Sequence, residues 1–201
     1  MKVFINREPV IGPWGGGNRT ITTLIKQLTL KGHEYTFNIN EKFDVIYCHD
    51  PRPDNRGIRY EHFLHIRQNA NTPIFQRVGD VFYHRDVEST EYLKETIKYS
   101  NKVSFITKWA ADTLNCEIDN KRTYVHELRP PKIFHRQIKN NIVKKEDTVR
   151  IITHHWSSNF KKGVSFYNDI GELIQKSKYK NVEFIYLGRA HDAINKNNIK
   201  K

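Results

Sequence analysis

Cysteine, long apolar runs and acidic residues are all in short supply in this chain of 201 residues. Two cysteines, Cys48 and Cys116, are too few for a disulfide framework or a complete thiolate metal site, which fits a reducing compartment. No apolar run approaches the roughly 18 residues that a membrane span requires. The start of the chain does not read as a signal peptide, because Arg7 and Glu8 interrupt the apolar stretch early. Acidic residues number 22 against 34 Lys and Arg, a formal charge of +12. That excess favours polyanions, anionic lipid surfaces or phosphorylated small molecules. The dense basic stretches, Lys132–Lys145 and Lys196–Lys201, look like a linker and a chain end, so most of the charge reads as solvated surface. The expectation is a soluble, cytoplasmic protein, with peripheral contact to an anionic membrane surface as an option that its charge leaves open.

Aromatic residues, at 12%, are too abundant for a disordered chain. Short apolar, β-branched runs recur at Val3–Ile5, Tyr35–Phe37, Asp44–Cys48, Ile74–Val78, Lys102–Thr107, Thr123–His126, Val149–Thr153 and Val182–Leu187. Several are apolar on successive residues, as strands buried on both faces are. Helical patterns fall between most of them, at Arg19–Lys31, Arg56–Asn69, Thr90–Ser100, Lys108–Asn115 and Val164–Lys176. Alternation of this kind predicts a parallel sheet in an α/β fold. Pro130–Pro131 and the polar, lysine-rich stretch that follows divide the chain into residues 1–131, a linker over 132–147, and residues 148–201. The last part reads as a single β-α-β unit, shorter than a doubly wound domain needs.

Three strand-to-helix junctions carry chemistry. The first is Gly12-Pro13-Trp14-Gly15-Gly16-Gly17-Asn18, where glycines let backbone amides approach a ligand and the helix start attracts phosphate. Asn18 is the expected N-cap of that helix. The pattern is neither the spaced glycine fingerprint of dinucleotide folds nor a P-loop. The second junction is Thr153-His154-His155-Trp156-Ser157-Ser158-Asn159-Phe160-Lys161-Lys162-Gly163, whose lysines beside a helix start suit a bound anion. Its adjacent histidines point to opposite faces of a strand and have no third ligand nearby, so no metal is expected. The third is Arg77-Val78-Gly79-Asp80-Val81-Phe82-Tyr83-His84-Arg85, able to orient a polar acceptor or simply to form a salt-bridged loop. His49-Asp50-Pro51-Arg52-Pro53-Asp54 follows another strand with the same two readings. The spacing supports no Ser-His-Asp or Cys-His arrangement.

The opening strand, the glycine loop and the helix ending Leu30-Lys31-Gly32-His33-Glu34 resemble the start of family-4-type glycosyltransferases. His155-Trp156-Ser157 with Lys162-Gly163 is similar to the start of the donor domain in a branch of that family, and Ile185-Tyr186-Leu187-Gly188 to its next strand and loop. The resemblance implies a GT-B fold: a Rossmann-like, acceptor-side domain over 1–131 and a partial Rossmann-like, donor-side domain over 148–201. It implies a sugar nucleotide as donor in the cleft between domains, transferred with retention to a glycan, lipid or protein acceptor, without a metal or other cofactor. Carried over by position, Gly15, Gly16 and Gly17 would approach the donor phosphates and Lys162 would neutralise the diphosphate leaving group. Asp80 and His84 would lie near the reacting sugar or acceptor.

The chain departs from that pattern in two ways. An arginine that partners the lysine in many relatives is replaced by the stretch Trp156-Ser157-Ser158, and the Glu-x7-Glu region would fall beyond residue 201. The chain alone is therefore expected not to turn over a donor, and to self-associate unless a partner chain completes the domain. The rival readings are a noncatalytic binding module of the same fold and, less favoured, a basic nucleic-acid-binding α/β protein.

Overall fold

The computed structural model describes residues 1–12, 15–52, 58–81, 87–126, 148–155, 160, 163–178, 180–188 and 192–194. The linker expected over 132–147 lies outside the described residues, as do His84 and Lys162. Two compact units are present, Met1–Arg129 and Pro130–Lys201.

The first unit runs β1 (Lys2–Ile5), α1 (Gly16–Leu30), β2 (Glu34–Thr36), β3 (Val45–Cys48), α2 (Tyr60–Ala70), β4 (Ile74–Val78), α3 (Val87–Tyr99), β5 (Lys102–Phe105), α4 (Lys108–Thr113) and β6 (Thr123–Val125). All six strands are parallel, in the order β2-β1-β3-β4-β5-β6. Successive strand residues are buried because helices cover both faces. Val3, Ile5 and Tyr47 pack with Ile21 of α1, while Phe4, Ile46, Cys48 and Ile74 pack with Tyr60 and Phe63 of α2. The two-residue period of each strand sorts its side chains between these layers. A third cluster joins Val78, Val103 and Phe105 to Leu93 and Ile97 of α3 and to Ala110, Ala111 and Leu114.

A polar network is sealed inside this apolar frame. Gln76, wholly buried on β4, donates to Thr96 Oγ1 at 2.9 Å and accepts from Ser100 Oγ at 2.6 Å. Tyr60 Oη lies 2.6 Å from Ser100 Oγ and donates to the Thr96 carbonyl at 2.9 Å. Each buried polar atom here has a partner, so the network fixes how α2 and α3 sit on β4 without leaving an unpaired group.

Most predicted strands and helices appear within a few residues of their expected bounds, and two differences are instructive. The helix after β1 starts at Gly16, and Asn18 lies inside its first turn instead of capping it. Its side-chain amide instead accepts from the Val10 N–H at 2.6 Å and donates to the Val10 carbonyl at 2.7 Å. Thr107, expected at the end of a strand, caps α4: its hydroxyl accepts from the Ala110 N–H at 3.1 Å. At the other end of α1, Gly32 turns the chain with a φ of 73°, which explains the glycine in the Gly-His-Glu turn.

In the second unit, β7 (Val149–His155), α5 (Val164–Lys176) and β8 (Val182–Gly188) form one β-α-β crossover. The two strands pair in parallel over seven residues, and Val164, Tyr167, Ile170 and Ile174 of α5 pack on Phe184 and Tyr186. Among the described residues this sheet has two strands, so a second complete Rossmann-like domain is not seen.

Candidate functional site

In a parallel sheet the loops after the strands gather at one edge. Here β1 leads through α1 to β2 on one side, while β3 leads through α2 to β4 on the other. The crevice between the ends of β1 and β3 is therefore the switch point where ligands of open α/β sheets bind.

Asn6 ties these two strand ends together. Its side-chain oxygen accepts from the His49 N–H at 2.8 Å, and its amide donates to the Asp50 carbonyl at 2.6 Å. The polar chain after β3 is thereby held against β1. The N-terminus of α1 stands over it. Gly15 caps the helix with no side-chain hydrogen bond, and the first turn carries no acidic residue. The amides of a first helical turn have no intrahelical acceptor, and with the dipole they favour an anion.

The glycines act by leaving room. A side chain at Gly15 or Gly16 would meet nothing within 4 Å, whereas a Cβ at Gly17 would lie 3.0 Å from His49 Nε2. Gly17 thus lets the helix start rest directly on the imidazole. His49 itself is only 6% exposed, and its Nδ1 has no hydrogen-bond partner among the described residues. Burial and then the Arg77 charge push its pKa down to about 4; Arg7 and Arg52 add to this, and Asp50 opposes it. The ring is neutral at pH 7.

Three arginines gather at this edge. Asp50 accepts from Arg52 Nε at 2.6 Å and from the Arg52 N–H at 3.1 Å, a second guanidinium nitrogen of Arg52 also reaches it, and Arg7 Nη1 lies 3.8 Å away. Burial alone would raise the Asp50 acid, but the bonds and charge of Arg52, reinforced by Arg7, hold it below the ordinary value. Arg77 folds over Gly79, its Nη1 only 1.9 Å from where a Cβ would stand, so the glycine makes room for the guanidinium. Arg7, Arg52 and Arg77 therefore all act on His49, while Asp50 pairs with Arg52 and Arg7.

The opposite edge of the sheet shows what a structural cluster looks like. Asp119 accepts from the N–H groups of Lys121, Arg122 and Thr123 at 2.8–2.9 Å, which drives its acid far below the ordinary range. Arg122 donates to the carbonyls of Ser100 and Lys98, closing the end of α3. A cavity of about 490 Å³ opens beside them, lined by Ile97, Leu114 and Cys116 among others. Those charges have local partners. By contrast, the two buried side-chain atoms without a hydrogen-bond partner among the described residues, His49 Nδ1 and Thr90 Oγ1, both lie at the edge where the strands end, Thr90 in the first turns of α3.

Of the residues singled out from sequence, Gly15, Gly16 and Gly17 stand at the switch point, and half-buried Asp80 follows β4 on the same edge. His84 and Lys162 lie outside the described residues. The sequence reading flagged His49, Asp50 and Arg52 as a set but missed Asn6 and Arg7. Their signal was available: two polar residues directly after an apolar strand, ahead of a glycine loop. Among the described residues no group of three His, Cys, Asp or Glu is placed to hold a metal, and no helix is long and apolar enough to cross a membrane. The first unit is an α/β, Rossmann-like domain with an architecture shared by many nucleotide-binding enzymes. Neither a family model nor a curated protein sequence matches the chain.

Proposed function

We propose that the chain is a retaining glycosyltransferase of GT-B type that uses a sugar nucleotide as donor, with residues 1–131 on the acceptor side, 132–147 as linker and 148–201 on the donor side. The observation that carries this reading is the uncapped, acid-free start of α1 set beside Arg7, Arg52 and Arg77 at the switch point. A nucleoside diphosphate group suits it, because phosphate oxygens take both helix amides and guanidinium groups. The order of sequence motifs supplies the sugar.

In this reading Gly15, Gly16 and Gly17 admit the diphosphate, and Lys162 neutralises the leaving group as the glycosidic bond breaks and negative charge grows on the departing phosphate. Asp80 and His84 contact the sugar or the acceptor, which is a glycan, lipid or protein. No metal or other cofactor is invoked. A second reading, a nucleotide-binding module without turnover, draws on the two-stranded sheet of the second unit.

Two substitutions test the proposal. Gly16→Val adds bulk over the helix start where the protein itself offers no clash, and valine is no worse than glycine for the helix. It is expected to weaken binding of nucleoside diphosphates and nucleotide-sugars about tenfold or more by calorimetry, with the melting curve intact; the magnitude reflects loss of hydrogen bonds to charged oxygens. Unchanged affinity would remove this loop from the site. In an enzyme whose donor domain is complete, Lys162→Ala is expected to lower kcat for nucleotide release more than it changes donor affinity, since its charge acts on the transition state. A larger loss from Lys161→Ala would transfer the role, and small, equal effects from both would leave the lysines as surface charge.

A further inference from the structure

We propose that His49 is a ligand-binding residue that donates its Nε2–H to an anionic oxygen seated at the start of α1. The inference rests on the phosphate-site reading above and adds to it a specific donor that is not part of the glycine loop. Three observations carry it. The ring is almost wholly buried, its Nδ1 has no partner, and its Nε2 lies against Gly17 in the first turn of α1.

A neutral imidazole carries one proton, and the surroundings decide which nitrogen holds it. With the proton on Nδ1 there would be a buried N–H with no acceptor, an arrangement that folded proteins rarely tolerate. With the proton on Nε2, the orphan at Nδ1 is only a lone pair, and the donor lies beside the open amides of the helix start. Burial first, and then Arg77 with Arg7 and Arg52, keep the ring from taking a second proton, so it offers a hydrogen bond without an added charge. Asn6 and Asp50 hold the backbone on either side of the ring in place. Gly17 completes the arrangement, because any side chain there would stand between the ring and the helix start.

The probe is inorganic pyrophosphate, titrated into the full chain labelled with ¹⁵N in its histidines. In the free protein at pH 7, Nε2 is expected to show the protonated ¹⁵N shift of a neutral imidazole and Nδ1 the unprotonated one. Pyrophosphate should move the Nε2–H proton downfield. His49→Phe, which keeps the ring volume without the donor, should weaken pyrophosphate about tenfold, the loss of one charge-assisted hydrogen bond. His49→Gln, which can place an amide N–H near the same point, should recover most of that loss. A proton on Nδ1 in the free protein would overturn the assignment even if the variants fail to fold. So would a folded His49→Phe protein with wild-type affinity, and in that case the phosphate site would stand without His49. Failure of the wild-type chain to bind pyrophosphate would overturn the phosphate site and the role of His49 together.

Discussion

Between pH 7 and pH 4 the first unit is expected to lose about 3 kcal/mol of stability through His49 alone. The sign follows from where the proton goes. In the unfolded chain a histidine takes up its proton near pH 6.5, whereas in the fold His49 does so only near 4, because burial and Arg77 oppose the charged form. Acid therefore draws molecules towards the unfolded state, which binds the proton first, and the loss accumulates between those two values. Asp50 extends it. Its folded acid is held below the ordinary carboxylate value, so its contribution is intact above about pH 4 and disappears as the pH falls through the lowered value. Urea titrations at pH 7 and pH 4 on wild type and His49→Phe measure the effect. The variant should be the flatter of the two, and equal slopes would show that His49 is not held neutral. Ligand binding should oppose the loss, since an anion at the start of α1 stabilises the folded protein by an amount that grows with the logarithm of its concentration once that exceeds Kd.

Phe63→Ala is expected to cost about 3–5 kcal/mol, the range for removing a buried phenyl ring and leaving its cavity. Phe63 is wholly buried on α2, edge-on to Phe4 and to Tyr60 with ring centroids 5.8 Å apart in each pair. Those contacts join β1 to α2 across the face that also holds Ile46, Cys48 and Ile74. The polar network around Gln76 shares Tyr60 with this cluster, so the cavity cannot collapse freely without disturbing hydrogen bonds. Phe63→Leu, which restores most of the volume, should cost less than half as much. Denaturant midpoints at constant slope provide the measurement. A loss below about 1 kcal/mol for the alanine variant would mean that this cluster does not hold the unit together.

The layers of the fold were legible because they rest on short-range pattern. Phe4-Ile5 and Ile46-Tyr47-Cys48 are apolar on successive positions, and only strands covered on both faces need that. The glycine junction was legible as an open turn between strand and helix, since its composition suits close approach. Asn18 misled because a residue type favoured at caps also forms good side-chain clamps, and here the Val10 backbone offered both a donor and an acceptor. The contact between Gly17 and His49 was not legible at all. It depends on β1 and β3 lying side by side, and no local pattern states which strands will be neighbours. Arg77 and Gly79 illustrate the same limit within one loop. Their types suggest a polar turn, but only the fold shows one guanidinium occupying the room that a side chain at 79 would need.

The strand order has a consequence for how the site comes and goes. Strands β4, β5 and β6 each pair with the strand before them in sequence, and β2 pairs with β1, all at separations shorter than the 42 residues between Val3 and Val45. Strand β1 must instead enter between β2 and β3, and its pairing with β3 closes the longest loop in the sheet. Contacts that close longer loops carry the greater entropic cost. The crevice straddles that one seam, with Asn6 on its first side and His49 and Asp50 on its second. The crevice therefore exists only where β1 and β3 are paired. Separating β1 from β3 would take the crevice apart while leaving β3 to β6 paired with one another.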